Sequence, residues 1–595
     1  MYQSSLISGL PPAVVFIVGA LLIPFFKGKI KSGFMLATPI VAFITLCTTP
    51  DGNYWVLDML DYNVVLGRVD ALSRVFGYIF CIVSFLGVIF ALNIDDDLQY
   101  CSAFAYAGGA LGVTFAGDVF SLYIFWEIMA VASTFLILAR RTKASQAAAM
   151  RYVLVHVFGG LCLLAGIIMY VQRTGLTEFS LMHLSGIDSY LIFLGIAVNA
   201  AIPPLHPWLS DAYPEATVTG AVFLSAFTTK SAVYVMARMF PGTEQLIWLG
   251  AAMTVILIFY AVLENDIRRV LAYSLINQVG FMMCGIGIGT ALSLNGTISH
   301  AFCHILYKAL LFMAAGSVLH VTGKIRCTDL GGLYKTMPLT CLFCIVGAAS
   351  ISAFPLFSGF VSKSMIISAA AHDKLVLVWL MLQFASAGVF HHAGIKVPFF
   401  MFFGHDSGIR AKEPPPNMLI AMGIAAFVCV FLGVYPYPLY DILPYPVAYV
   451  PYTGAHVIGQ LQLLMYGALA FCLLILSGYY PAEMRAINLD TDWFYRRFSL
   501  WFYCLSDKFL NRINRLCAKV FVEDLTTAFA GWGKNAVARL VVAVMFPAWK
   551  VMGLSRDRQA QLSRRINTLL QDSALPIGIS VTGVVILISG LYFFH

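Results

Sequence analysis

Six ionisable residues lie in stretches that are otherwise almost wholly apolar: Glu127, Lys230, His300, His304, Lys308 and Lys363. A charge at the centre of a bilayer costs roughly 3 kcal/mol on insertion scales, so each of them asks for a partner or a purpose. Glu127, in Phe125-Trp126-Glu127-Ile128, and Lys230 both fall near the middle of apolar runs. His300, His304 and Lys308 recur at steps of four, which stacks them on one face of a helix as a polar stripe. The chemistry such a set can perform is proton transfer. Lys, His and Glu change their proton affinity with burial and with neighbouring charge, so a wet path alternating between them can pass protons along.

Each of these residues also has a structural alternative. A lone Glu or Lys in a span can be one half of an ion pair, and a lone His can be simply packed. The three-membered stripe is harder to dismiss as packing. Three residues are possible accessories: His156, Asn199, and His206 in Pro204-Leu205-His206-Pro207-Trp208, which is suited to a hinge or a proton exit.

The elements that carry these residues must be membrane spans. Only 11% of the 595 residues are charged and 60% are hydrophobic, against about 25% charged in an ordinary soluble domain. The apolar residues arrive in runs of about 17 to 25, enough to cross a hydrocarbon core of about 30 Å. Such runs indicate about sixteen transmembrane helices, at 5–26, 32–49, 71–93, 100–116, 119–139, 150–171, 189–202, 218–240, 246–263, 270–290, 297–319, 338–370, 374–403, 417–435, 461–479 and 576–594. The first run lacks a basic region ahead of it and reads as a retained span.

Two spans look broken, at Ile202-Pro203-Pro204 and at Phe354-Pro355-Leu356-Phe357-Ser358-Gly359. Proline removes a backbone donor and frees carbonyls within the helix. One such break in each half of a bundle points to an inverted-repeat transporter with its ion site at mid-membrane; ordinary proline kinks are the plain alternative.

Lys27/Lys29/Lys31, Arg140/Arg141/Lys143, Arg268/Arg269, Lys324/Arg326/Lys335 and Arg410/Lys412 all fall in alternate loops. This places the N-terminus outside a cell inner (plasma) membrane. Asp95-Asp96-Asp97, which falls on the inside, is the one discordant feature. Residues 480–574 hold fourteen Lys/Arg against eight Asp/Glu, which suggests amphipathic helices on the cytoplasmic face. The net charge of +8 resides in these loops and this segment, and so argues for orientation in a bilayer, with no nucleic acid as partner.

The thirteen cysteines show no zinc-finger spacing, so no metal is expected. Gly285-Ile286-Gly287-Ile288-Gly289 only imitates a nucleotide loop, since it lies inside a span without a βαβ unit. No cofactor motif and no active site of the chain's own is apparent.

Several motifs carry a resemblance. They are Phe125-Trp126-Glu127, Pro204-Leu205-His206-Pro207-Trp208-Leu209-Ser210-Asp211-Ala212, Asp266-Ile267-Arg268-Arg269-Val270-Leu271-Ala272-Tyr273-Ser274, His304-Ile305-Leu306-Tyr307-Lys308-Ala309-Leu310-Leu311-Phe312 and Ser358-Gly359-Phe360-Val361-Ser362-Lys363. Over roughly residues 70–410 the chain resembles the antiporter-like membrane subunits shared by Mrp-type cation/proton antiporters, respiratory complex I and membrane-bound hydrogenases.

The resemblance implies an all-α polytopic membrane protein with two inverted five-helix repeats, each with a broken helix, followed by an amphipathic lateral segment and a final span. By motif, Glu127, Lys230, His300, His304, Lys308 and Lys363 match the family's central proton chain. The implied organisation is N-terminal spans over 1–99, a first repeat over 100–240, a second over 246–403, additional spans over 404–479, the lateral segment over 480–574 and a last helix over 575–595.

One departure stands out. The family usually has a lysine seven residues before the position of His206, partnering the glutamate, and here that position is Asn199. Either Glu127 pairs with another group, such as Lys230 or His156, or the first half-channel is altered or silent. The expected function is a proton- or cation-translocating subunit of a multisubunit complex, with protons or Na+ as cargo. The partners implied are other membrane subunits of an antiporter, hydrogenase or respiratory complex. The alternative is a mainly structural membrane arm docking a redox or carbon-uptake enzyme.

Overall fold

In a computed structural model of the chain, residues 10–59, 62–480, 484, 488–571, 581, 584–585 and 588–589 are described. Most of the expected last span at 576–594, and the start of the first at 5–26, lie outside these residues. The described chain is helical apart from one hairpin. Its helices run α1 Pro12–Leu22, α2 Gly28–Thr48, α3 Ala71–Ala91, α4 Asp97–Phe115, α5 Val119–Leu138, α6 Lys143–Thr174, α7 Ile187–Asn199, α8 Pro207–Ala212, α9 Val218–Ala226 and α10 Thr228–Met239. They continue as α11 Glu244–Leu263, α12 Ile267–Ile288, α13 Ala291–Thr322, α14 Pro338–Ile351, α15 Ser358–His372, α16 Val376–Val389, α17 Pro416–Val434, α18 Tyr437–Tyr440 and α19 Gly454–Leu476. Between α16 and α17 the helix widens into π-turns at Phe390–Lys396 and Phe399–Phe403.

The architecture is that of an all-α polytopic membrane protein. Among the described residues, twelve helices are long and apolar enough to cross a membrane, with shorter apolar helices at Pro12–Phe25, Ile187–Asn199 and Pro338–Ile351. α9, α10, α12 and α13 are buried over nearly their whole length, while α2 and α19 turn large apolar residues such as Ile44 and Tyr466 outward. An apolar outer surface is stable only where lipid covers it.

Several expected boundaries need correction. The run at 338–370 is two helices, α14 and α15, and that at 218–240 is interrupted at Phe227, whose backbone (φ −100°, ψ −67°) departs from the helix. The acidic loop around Asp51 to Asp70 holds an antiparallel hairpin, β1 Gly52–Met59 and β2 Tyr62–Val69. Asp118, the cap of α5, ties this hairpin down by accepting from the Val65 amide at 2.7 Å.

The discordant acidic run has a local explanation. Asp95 and Asp97 pair with Lys31, and Asp96 pairs with Arg141 at 3.2 Å. Acidic and basic loops therefore share one end of the bundle, and basic side chains neutralise the carboxylates.

Both expected breaks are present, and both are closed by the same backbone device. After α7, Ala201 adopts a left-handed conformation (φ +54°). The Ile202 amide then donates to the Ala197 carbonyl and the Ala201 amide to the Val198 carbonyl, each at 3.1 Å. After α14, Ala353 has φ +57°, the Phe354 amide donates to Ala349 at 3.0 Å and the Ala353 amide to Ser350 at 3.1 Å. This is the Schellman ending, normally built on glycine, with proline soon after it to prevent the helix from resuming. Alanine in that conformation costs about 1–2 kcal/mol, which the surrounding packing must offset.

Residues Trp493–His595 form a second compact unit. It holds all but the first residue of the helical stretch Asp492–Val551, π-turned at Ser506–Leu510 and Ala518–Asp524, and the helix Arg556–Gln571.

A buried lysine and histidine line in the bundle

Lys308, His304 and His300 project from α13 into the protein interior, and all three are fully buried. Only His300 is held on both sides: Nδ1 lies 3.1 Å from the Ser362 hydroxyl on α15, and Nε2 lies 3.2 Å from Oε1 of Gln278 on α12. His304 makes no hydrogen bond, and its ring stands edge-on to Tyr307 at 5.2 Å. The Lys308 ammonium also makes no hydrogen bond among the described residues. Buried polar groups left this open are uncommon in stable interiors and mark places where water, an ion or a transferred proton has work.

Helix breaks supply the lysines at either end. Lys230 follows the interruption at Phe227 and donates to the Ser225 carbonyl at 2.8 Å and to the Thr229 hydroxyl at 3.1 Å. Lys363 reaches back across the second break and donates to the Ile351 carbonyl at 2.8 Å, with its ammonium 5.2 Å from the Phe281 ring centre. In each case a carbonyl released from its helical partner meets a cation that no carboxylate pairs among the described residues.

The five groups form one electrostatic set. His304 interacts with Lys230, Lys308, His300 and Lys363, and Lys230 also interacts with Lys308 and His300. Like charges this close oppose each other, so a proton arriving at one member favours departure from the next. The set continues past the residues singled out from sequence, because Lys308 also interacts with His392, and His392 with Lys396. The Lys396 ammonium donates to the carbonyls of Val262 at 2.6 Å and Glu264 at 2.7 Å. His392 and Lys396 are four residues apart, as His304 and Lys308 are, a repetition that was open to sequence reasoning. Gln278, Ser362 and Tyr307 had no such signal, since their importance comes from what they face.

At the far end of the line, Lys363 borders a cavity of about 530 Å³ whose polar lining includes Ser364, Gln383, Ser386, His456 and Gln460. Ser386 offers it a buried hydroxyl without a partner.

The first half is different. Glu127 on α5 is half-buried beside a groove of about 490 Å³. Its Oε1 has no hydrogen-bond partner and packs against Gly160 of α6. Neither partner suggested for it takes that role. The Lys230 ammonium is committed to Ser225 and Thr229, and His156 sits edge-on between Tyr152 at 4.0 Å and Trp208 at 4.5 Å with both ring nitrogens unbonded. Asn199, in the last turn of α7, is buried with its whole amide unpartnered. His206 stands at the N-cap position of α8, at the first break, without a side-chain capping hydrogen bond.

Comparison with known proteins finds similarity over much of the chain. Residues 116–389 match the family model described as "NADH:quinone oxidoreductase/Mrp antiporter, TM". Na(+)/H(+) antiporter subunit A1 of Staphylococcus aureus (strain bovine RF122 / ET3-1) is 28% identical over 484 residues, 71% of this chain and 60% of the relative. The subunit A1 of strain JH9 is likewise 28% identical, over 483 residues. The match therefore spans 60% of the length of these curated relatives.

Two solved structures share the fold. One belongs to the Mrp complex from Dietzia sp. DQ12-45-1b, with TM-score 0.64, 20% identity, 74% of this chain and 96% of that one. The other belongs to the membrane-bound sulfane sulfur reductase, an archaeal respiratory membrane complex, with TM-score 0.65, 24% identity, 76% of this chain and 98% of that one. The matched residues 116–389 carry Lys230, His300, His304, Lys308 and Lys363, while His392 and Lys396 lie just beyond them.

Proposed function

We propose that this chain is a proton- or cation-translocating subunit of a multisubunit membrane complex, either an Mrp-type Na+/H+ antiporter or a complex I-like ion pump. The observation that carries this is the unbroken sequence of buried groups Lys230, Lys308/His304, His300 and Lys363, none of them paired to a carboxylate. Burying these five groups without counter-charges is costly, and conduction gives that cost a use. The S. aureus relatives are named Na+/H+ antiporter subunits, which favours exchange of H+ for Na+ or a similar cation.

The repeat boundaries 100–240 and 246–403 gain support from the matching Ala201 and Ala353 endings. The N-terminus is assigned to the outside from the basic loops. Residues 480–574 are assigned to the cytoplasmic face of the inner membrane. The helical stretch Asp492–Val551 has 60 residues, about 90 Å at 1.5 Å per residue and several times what a crossing requires.

A second reading, that the chain is mainly a structural membrane arm docking a redox or carbon-uptake enzyme, with an altered first half-channel, is favoured by one observation. Glu127 and Asn199 both lack a partner, and no lysine stands where the resemblance expects one.

Native purification in mild detergent, with mass spectrometry of every co-purifying chain, tests the assignment. Small antiporter-type membrane subunits, together with discharge of a pH gradient on adding NaCl to vesicles holding the complex, are the expected result. Recovery of the chain with redox or carbon-uptake subunits and no cation-driven proton movement would favour the docking arm instead.

A further inference from the structure

The linker after α19 returns to the first helix break and fastens there. Asp490 is 6% exposed and His206 3% exposed. His206 Nε2 stands 3.2 Å from Oδ1 of Asp490, at ion-pair distance but off the line of a hydrogen bond. The other carboxylate oxygen accepts from the Tyr273 hydroxyl of α12 at 3.0 Å. Next in the chain, the Thr491 hydroxyl donates to the Pro204 carbonyl at 2.8 Å, inside the break itself. On the other side, the Asn488 amide donates to the Tyr260 carbonyl of α11 at 3.1 Å and to Oε2 of Glu264 at 3.3 Å. Within four residues, one linker thus binds the unwound turn before α8, the end of α11 and the middle of α12.

We propose that residues 488–491 are a proton-linked latch on the first broken helix, with Asp490 the residue that positions His206. A buried carboxylate is tolerable when a cation and a donor face it, and here those are the His206 ring and Tyr273. The other titratable groups around the pair are Tyr260 and Glu264 from α11 and its following turn, and Asp492 from the linker's own end. These are acidic or phenolic; Arg269 and the Lys396 ammonium lie against Glu264, and His206 is the cation at ion-pair distance from Asp490.

When the imidazole gives its proton to water, the carboxylate is left among acids and phenols, and the linker is released together with the Thr491 bond to Pro204. Burial works to raise the Asp490 carboxyl, but the His206 contacts more than compensate and hold it below the ordinary carboxylate range. Opening of the break and departure of the linker are then one event. The latch stands on this geometry whichever ion the chain handles.

Hydrogen exchange of the purified complex, read on peptides covering residues 198–212 and corrected for intrinsic pH dependence, tests it. The wild type should protect these amides at pH 6 and lose protection by about tenfold or more at pH 8. Asp490→Asn should exchange rapidly at both pH values, and Asp490→Glu should restore part of the pH dependence. A disulfide between His206→Cys and Asp490→Cys should keep the peptide protected at both. Equal protection in wild type and Asp490→Asn, a flat pH profile in the wild type, or failure of the double-cysteine protein to cross-link would overturn the latch.

Discussion

Lys308 has no hydrogen-bond partner, is fully buried, and interacts with Lys230 on one side and His392 on the other. Glu127 is the opposite case, a carboxylate at the rim of a groove with no cation held against it. This contrast sets the residue-scale prediction. Glu127→Gln should reduce transport far less than substitutions on α13, while Asn199→Lys, by adding an ammonium where the resemblance expects one, should change the coupling between the two halves. Transport measured in vesicles for both variants decides the matter, and a loss in Glu127→Gln as deep as in Lys308→Ala would restore the first half-channel.

The i, i+4 stripe and the charged residues in apolar runs were legible in the sequence because helical periodicity and membrane energetics act locally. What each residue faces was not. Gln278 and Ser362 became visible only through the ring of His300. Asp490, in a segment that reads as solvated surface, gave no local sign that it folds back onto His206.

The breaks at Ala201 and Ala353 define the element scale. The prolines announced them correctly, but proline alone does not say that a left-handed alanine closes both helices with the same pair of hydrogen bonds. The interruption at Phe227 has no proline and escaped notice. Lys230, three residues on, takes the carbonyl of Ser225 and so satisfies a break that composition does not advertise. The hairpin at Gly52–Val69 escaped for another reason: helix-rich context hid a short alternating stretch.

A close approach guards the second break. A side chain on Gly359 would collide with the backbone carbonyl oxygen of Ser350, an atom that cannot swing aside. Gly359→Ala should therefore destabilise by about 1–3 kcal/mol, read as a lower thermal midpoint of the complex, and should displace Lys363 from the Ile351 carbonyl. An unchanged midpoint would show that the break relaxes freely.

On the scale of the whole molecule, the two halves share a break design but not a charge pattern. The line starts at Lys230, near the end of the first half, and runs through the second half to Lys363 with a branch through His392 to Lys396, while the rest of the first half holds an isolated glutamate and an unpartnered asparagine. The fold class, the two breaks and the family resemblance were readable because bilayer thickness and motif spacing constrain them strongly. The asymmetry was readable only at Asn199, and its extent depends on packing that no single residue reveals.

The measurement that tests the central claim most directly is cation-driven proton movement in vesicles carrying the assembled complex with Lys308→Ala, at matched subunit content. Transport should fall by about tenfold or more, the scale expected when a proton-transfer group is removed. Transport at the wild-type rate, from a complex that is fully assembled, would contradict conduction along this line.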